Sequence, residues 1–153
     1  MEVQALQKNP IFNYFDMLSM AQKSYGKLLS PLCKEEELTR NELDVLLFLH
    51  NNPSFDRAVD IVNNRGLSKS HVSLSISSLE EKQLLTRQED PQDRRTVHLK
   101  LTEQGGKIAG IGRMAQKRFF SYLHQGVTQE QIAMMVDFAR KVGENIKNIE
   151  DVL

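Results

Sequence analysis

Two arginines behind an aspartate, in the run Asp90-Pro91-Gln92-Asp93-Arg94-Arg95, are the residues of this chain best suited by type and spacing to contact a phosphate polymer. Pro91 fixes φ at the second position of a turn opened by Asp90, which leaves Asp93, Arg94 and Arg95 at or near an exposed tip. Residues two apart in extended backbone point to the same side, so the Asp93 carboxylate is expected to steer the Arg95 guanidinium by a charge-assisted hydrogen bond. A guanidinium steered in this way enters a narrow groove at less ordering cost than a free one. Taken alone, the tip also reads as a solvated turn with a weak surface ion pair.

The segment before the tip supplies the second candidate element. Val72, Ile76 and Leu79 are four and three apart and form a narrow apolar helical stripe, while Ser68, Lys69, Ser70, His71, Ser73, Ser75, Ser77 and Ser78 occupy the other faces. Serine competes for its own backbone, so this many serines lower the intrinsic stability of a helix. Short hydroxyl side chains let a helix sink into a major groove, where they donate to phosphates or base edges. The alternative is a polar surface helix whose serines are incidental. A helix followed by a basic hairpin tip is how a small domain grips duplex DNA.

Whole-chain charge gives this reading little help. Lys plus Arg and Asp plus Glu number 20 each, so attraction for a polyanion must be local. Between Arg65 and Lys100 seven basic residues face five acidic ones, which is only a slight excess. The single cysteine, Cys33, cannot form an internal disulfide, and six methionines with no signal-like apolar start point to a reducing, cytoplasmic setting. No apolar run is longer than Val45 to Leu49, which is far short of the roughly 20 residues that cross a bilayer, so no membrane partner is expected.

The elements that must position these residues follow from periodicity and end signals. Asn9-Pro10 opens a first helix, with Ile11, Phe15, Leu18, Tyr25 and Leu28 or Leu29 on one face, ending near Pro31. Thr39-Arg40-Asn41-Glu42 is a capping box for a second, largely apolar helix that Asn51-Asn52-Pro53 stops. A short third helix starts at Ser54 or Phe55 and is closed by Asn64-Arg65-Gly66, with Gly66 in a left-handed cap. The serine-bearing fourth helix begins at Leu67-Ser68 and runs to about Gln83. Leu84 to Gln88 and Thr96 to Leu101 read as paired strands. Thr102-Glu103-Gln104-Gly105 caps a fifth helix to about His124, and Gly126-Val127-Thr128 separates it from a sixth carrying Ile132, Met135, Val136, Ala139, Val142, Ile146 and Ile149 at three-four spacing. The prediction is a mainly α fold with a small β-hairpin and about six helices in one domain of 153 residues. The first, fifth and sixth helices carry more apolar surface than such a domain buries alone, which points to a dimer interface.

Over most of its length the chain resembles the MarR family of winged helix-turn-helix regulators. The specific match lies in Gly66-Leu67-Ser68-Lys69-Ser70-His71-Val72-Ser73, Leu79-Glu80-Glu81-Lys82-Gln83-Leu84-Leu85, the Asp90 to Arg95 run, and Leu99-Lys100-Leu101-Thr102-Glu103-Gln104-Gly105. The resemblance implies a homodimer with a DNA-binding part at about 36–102 and helical dimerisation parts at about 9–33 and 103–153. It further implies a fourth helix in the major groove through Ser68, Lys69, Ser70, His71 and Ser73, and a wing in the flanking minor groove. Arg95 would be the minor-groove residue, Asp93 its orienting partner and Arg94 a phosphate contact. Two positions depart from the family pattern: Leu74 stands where many relatives carry Arg, and Gln83 where many carry Gly.

Proteins similar to this one commonly answer to a small aromatic or anionic effector. Phe15, Met17, Leu46, Phe48 and His50 are candidate lining residues, and each reads more readily as core. A rival reading makes Cys33 a redox-sensing thiol, with Lys34 lowering its pKa and Glu35, Glu36 and Glu37 opposing. Another makes the chain a winged-helix module that binds only protein. The four histidines show no i, i+4 ligand pair, so no metal is expected. With no phosphate loop, nucleophile elbow or paired carboxylates in an apolar setting, neither catalysis nor a cofactor is expected.

Overall fold

The computed structural model describes residues 14–150. Within that span six helices flank one two-stranded antiparallel hairpin: α1 (Tyr14–Glu35), α2 (Arg40–Asn51), α3 (Ala58–Arg65), α4 (Lys69–Glu81), β1 (Leu85–Glu89), β2 (Val97–Leu101), α5 (Glu103–Leu123) and α6 (Gln129–Glu150). This is a winged helix-turn-helix, as the pattern of elements predicts. The start expected at Asn9-Pro10, with Ile11, lies outside the described residues.

The Thr39 capping box forms as the sequence requires. The Glu42 amide donates to Thr39 Oγ1 at 3.3 Å and the Thr39 amide donates to Glu42 Oε2 at 2.6 Å, which fixes the start of α2. Leu43 and Val45 through Leu49 of α2 are all buried, so this helix is the centre of the core. Leu29 and Leu32 of α1, Ile61 of α3, Val72, Ile76 and Leu79 of α4, Leu85 and Leu99 of the hairpin, and Ile108 of α5 close around it. That burial explains why α1 does not stop near Pro31. The proline removes one backbone bond, but Leu29 and Leu32 on either side are buried, and the helix continues to Glu35. Its end is a left-handed residue, Glu37 at φ 53°, followed by an amide bond from Leu38 back to the Cys33 carbonyl at 2.8 Å.

α3 begins later than Ser54 or Phe55. Arg57 is its extended N-cap residue, and its amide donates to Asp60 Oδ2 at 3.1 Å, so the start is set by the Arg57 and Asp60 pair. Gly66 closes α3 in the left-handed conformation expected of it, at φ 63°. α4 ends on a second left-handed residue, Gln83 at φ 58°, with the Leu84 amide reaching the Leu79 carbonyl at 2.9 Å. A side chain at this φ is strained, and Gly relieves it. Gln83→Gly is therefore expected to raise stability by about 0.5 to 1 kcal/mol, read as a higher denaturant midpoint with an unchanged slope.

The hairpin pairs Leu85 with Leu101, Arg87 with Leu99 and Glu89 with Val97 in register. The chain forms two compact units whose boundary falls inside α5, between Lys117 and Arg118. The core and the hairpin belong to the first. In the second, Thr128 and Gln131 form a further capping box at the start of α6, with bonds of 2.9 and 3.2 Å, and Met134, Met135, Val136, Phe138, Ile146 and Ile149 are exposed along that helix.

Candidate nucleic-acid interface

Turn chemistry builds the wing tip from two aspartates. One Asp90 oxygen accepts the amides of Gln92 and Asp93 at 2.8 and 3.0 Å, which folds the chain back through Pro91. The Asp93 carboxylate accepts the Arg95 amide at 3.0 Å and the Thr96 hydroxyl at 3.1 Å. This corrects the expected bond from Asp93 to the Arg95 guanidinium: the carboxylate is taken by backbone and hydroxyl donors next to it, as short acidic side chains in turns commonly are. Asp93 thus shapes the tip rather than holding the guanidinium. Arg94 and Arg95 are exposed, and among the described residues no ion pair engages either one.

α4 presents a mixed face. Lys69, Ser70, His71, Ser73 and Leu74 are exposed. Ser68, predicted among the DNA-facing hydroxyls, is the N-cap: its Oγ accepts the His71 amide at 3.2 Å and lies 3.1 Å from Ser70 Oγ. The remaining serines do not face outward as expected. Ser75 is buried, Ser77 accepts from Arg87 at 3.1 Å, and Ser78 donates to Glu42. These three hydroxyls, which lie outside the predicted DNA-facing set, thus pack or bond within the protein.

Two polar anchors set the orientation of α4 and of the hairpin, and neither was visible as a motif. Glu42 is buried where the start of α2 meets the end of α4. Besides its capping bond it accepts from Ser78 and from Lys82 Nζ, at 3.1 Å to each oxygen, while the same ammonium reaches the Glu37 carbonyl at 2.9 Å. Burial pushes the Glu42 carboxyl up, but bonds from Ser78, the Thr39 amide and Lys82 outweigh it and hold the pKa below its ordinary value. Arg87 on β1 docks to Glu80 at 2.8 Å, so its charge is matched within the protein. Within 65–100, Arg65, Lys69, Arg94, Arg95 and Lys100 are exposed cations outside any ion pair among the described residues.

On β2 the His98 ring bridges two carboxylates, with Nδ1 2.8 Å from Asp56 Oδ1 and Nε2 3.1 Å from Asp90 Oδ2. The adjacent Leu99 amide donates to the Asp56 carbonyl at 2.7 Å, which adds a backbone tie between β2 and the segment before α3.

An apolar cavity of about 500 Å³ lies between α3, α4 and the hairpin, lined by Val59, Val62, Val72, Ile76 and Leu99, with Lys69 and Arg87 also in its wall. Leu46 and Phe48 are buried core, and Phe15 and Met17 are exposed on α1. At Cys33, burial pushes the thiol pKa up, and Asp44 and Glu42 add to this while Arg40 opposes. A raised pKa leaves less thiolate, the opposite of a reactive sensor.

The segment carrying this geometry, residues 37–96, matches the model of the MarR family. A Bacillus subtilis (strain 168) protein, the uncharacterized HTH-type transcriptional regulator YdgJ, is 23% identical over 113 residues, covering 74% of this chain and 68% of its own length. A Listeria monocytogenes protein assigned to the MarR family and solved with a 26mer DNA superposes with a TM-score of 0.78, over 88% of this chain and 89% of its own, at 19% identity. CouR from Rhodococcus jostii RHA1, solved with p-coumaroyl-CoA bound, superposes with a TM-score of 0.73 over 91% and 94% of the two chains at 22% identity. Residues 37–96 thus match the MarR family model, and over most of its length the chain has the fold of solved structures that include a MarR-family regulator bound to DNA.

Proposed function

We propose that the chain is a homodimeric, cytoplasmic, sequence-specific DNA-binding repressor that a small aromatic or anionic effector releases from a pseudo-palindromic operator. Residues 36–102 would contact DNA, and 9–33 with 103–153 would form the dimer. The observation that carries this reading is the pairing of an exposed, short-side-chain face on α4 with a tip whose two arginines have no carboxylate partner among the described residues. Lys69, Ser70, His71 and Ser73 would meet the major groove, Arg95 the minor groove and Arg94 a phosphate. Ser68 and Asp93 would act by fixing the helix start and the tip. Two recognition helices about 34–36 Å apart then read successive major grooves.

Exposed apolar side chains on α1 and α6, among them Met17, Met20, Met134 and Ile146, support burial against a second copy. The apolar cavity beside α4, with Lys69 and Arg87 in its wall, has the size and lining of a small-ligand site and suits an apolar anion. A ligand there would touch the recognition helix and the wing together, and it regulates only if it binds the DNA-competent and DNA-incompetent forms unequally.

Arg95→Ala is expected to weaken operator binding by about 1 to 3 kcal/mol while leaving the denaturation midpoint unchanged. Fluorescence anisotropy on a footprinted operator fragment, with light scattering for the subunit count, measures both halves of the proposal. Log affinity should fall linearly with log salt, with a shallower slope once Arg95 is gone. Equal affinities for Arg95→Ala and the parent chain, or a monomer on the DNA, would refute the assignment.

A further inference from the structure

His98 joins parts of the fold that bear directly on the wing. Asp56 lies in the segment before α3, and Asp90 is the residue that opens the wing turn. Asp90 does two things at once: one carboxylate oxygen caps the turn through the Gln92 and Asp93 amides, while the other faces His98. A two-stranded hairpin is marginal on its own, so contacts outside the ladder decide where its tip points. Here the base of the hairpin is held by Leu85 and Leu99 in the core and by the Arg87 to Glu80 pair, and the end nearest the tip is held by His98.

Proton counting makes this contact conditional. A carboxylate only accepts, so both ring nitrogens must carry protons for both bonds to exist, and only the imidazolium has two. The neutral ring keeps one bond and turns a lone pair toward the other carboxylate. The charged groups around the ring are few. Across the ladder β1 presents Gln88 in register, and the neighbouring Arg87 is paired with Glu80. Next to Asp56, Arg57 is turned to Asp60. In the turn, the Asp93 carboxylate is taken by the Arg95 amide and the Thr96 hydroxyl. On β2 itself Lys100 is two residues on, along the same side of the strand. Asp56 and Asp90 are therefore the groups that set the charge state of His98.

We propose that His98 is a protonation-dependent positioning residue for the wing: as imidazolium it clamps the turn to the segment before α3 and holds Arg94 and Arg95 ready for DNA, and on losing its proton it lets one carboxylate go, so operator affinity falls as the medium becomes alkaline. This rests on the reading of the wing as a DNA-contacting element. Bonds to Asp56 and then Asp90 hold the ring pKa above its ordinary value of 6.5, and the bond from His98 holds the Asp90 carboxyl below its own 3.8. Because the folded pKa of the histidine is raised, the contribution is full below the unfolded value and is lost as pH rises through the folded one. Deprotonation also changes the local charge from one net negative to two, which opposes a polyanion in the same direction.

The test separates the clamp from the DNA reading. Nitrogen-detected NMR of the free protein, labelled at histidine, is expected to show both His98 ring nitrogens protonated at a pH above the ordinary histidine value of 6.5. A single protonated nitrogen at that pH overturns the clamp whatever the protein does with DNA. Operator affinity is then followed at constant salt from about pH 6 to pH 9 in a His71→Gln background, which removes the imidazole on the exposed face of α4. Affinity is expected to drop about tenfold across that range. His98→Gln should give a flat profile at the weak end. Asp56→Asn should give a flat profile at the strong end, because the Asn amide can donate to the neutral ring and restore both bonds. Operator binding with the same slope in all three proteins overturns the positioning role and leaves the DNA reading intact. No operator binding at any pH removes the DNA reading and the positioning role with it, while the nitrogen spectrum still reports whether the clamp exists.

Discussion

Removing the Glu42 carboxylate by Glu42→Ala is expected to cost about 2 to 4 kcal/mol, from a lost helix cap and buried donors left without an acceptor. Glu42 is 3% exposed, so water poorly resupplies the Ser78 and Thr39 donors, whereas the partly exposed Lys82 ammonium is rehydrated. Lys82 loses its carboxylate, Ser78 its acceptor, and the Thr39 amide its capping partner in one substitution. Glu42→Gln should cost less, about 1 to 3 kcal/mol, because the amide keeps one acceptor but must place an NH₂ among donors. The same carboxylate makes stability fall in acid. Its folded pKa is depressed, so its contribution is present above the unfolded value of 4.5 and is lost as pH falls through the lower folded value. Urea titrations of the three proteins between about pH 3 and pH 7 measure this, and the parent should converge on Glu42→Gln at the acid end. Parallel curves for parent and Gln variant across that range would show that the carboxylate charge does not contribute. Because Ser78 and Lys82 lie at the end of α4, loss of this anchor also frees the recognition helix to rotate on the core.

The local half of this architecture could be read from the chain and the long-range half could not. Thr39 and Glu42 announced the start of α2 because both partners of a capping box lie within four residues. Val97, Leu99 and Leu101 announced a half-buried strand by alternation. What the Glu42 carboxylate does besides capping depends on residues 36 and 40 positions away, and no spacing rule connects them. The same holds for His98 and Asp56, 42 positions apart. The start of α3 was misplaced because Pro53 and Ser54 resemble a helix opening, whereas the bond from the Arg57 amide to the Asp60 carboxylate sets it. Two misreadings were avoidable. Ser75 lies three residues beyond Val72 and four before Leu79, so 72, 75, 76 and 79 complete an i, i+3, i+4, i+7 face, and its burial was implicit in the spacing. Ser68 stands directly before a periodic segment, which is where an N-cap serine belongs. At Ser68 expecting a groove-facing hydroxyl displaced that simpler local rule, and at Ser75 its polarity did. At the wing tip the residue types were right and the partner wrong, since Asp93 finds the amide two residues on before it can reach a side chain of the same residue.

Gly105→Ala is the other substitution expected to have a large effect, and here the reason is space rather than charge. Gly105 sits in the first turn of α5, where a β-carbon would lie 2.0 Å from the Leu84 carbonyl oxygen and 3.0 Å from its carbon. The obstacle is backbone, and that backbone is pinned. The Leu84 carbonyl accepts the Thr102 amide at 3.1 Å, the Leu84 amide reaches Leu79 at 2.9 Å, and Thr102 Oγ1 donates to the Gln83 carbonyl at 2.9 Å. Making room for one methyl group therefore means pulling α5 away from the junction or breaking the left-handed cap of α4, and a cost of about 3 kcal/mol or more is expected. The neighbouring Gly106 is the control: its β-carbon meets nothing within 4 Å, and Ala there should stabilise the helix by about 0.5 to 1 kcal/mol. Denaturation midpoints for the two variants should move in opposite directions from the parent, and equal shifts would mean that α5 is free to slide over Leu84. The functional consequence follows from where Leu84 lies. It is the single residue between the Gln83 cap that ends α4 and the first residue of β1, so any displacement that accommodates a methyl at Gly105 passes into the angle between the recognition helix and the wing. Operator affinity measured on the folded fraction of Gly105→Ala should accordingly fall, while that of Gly106→Ala should match the parent.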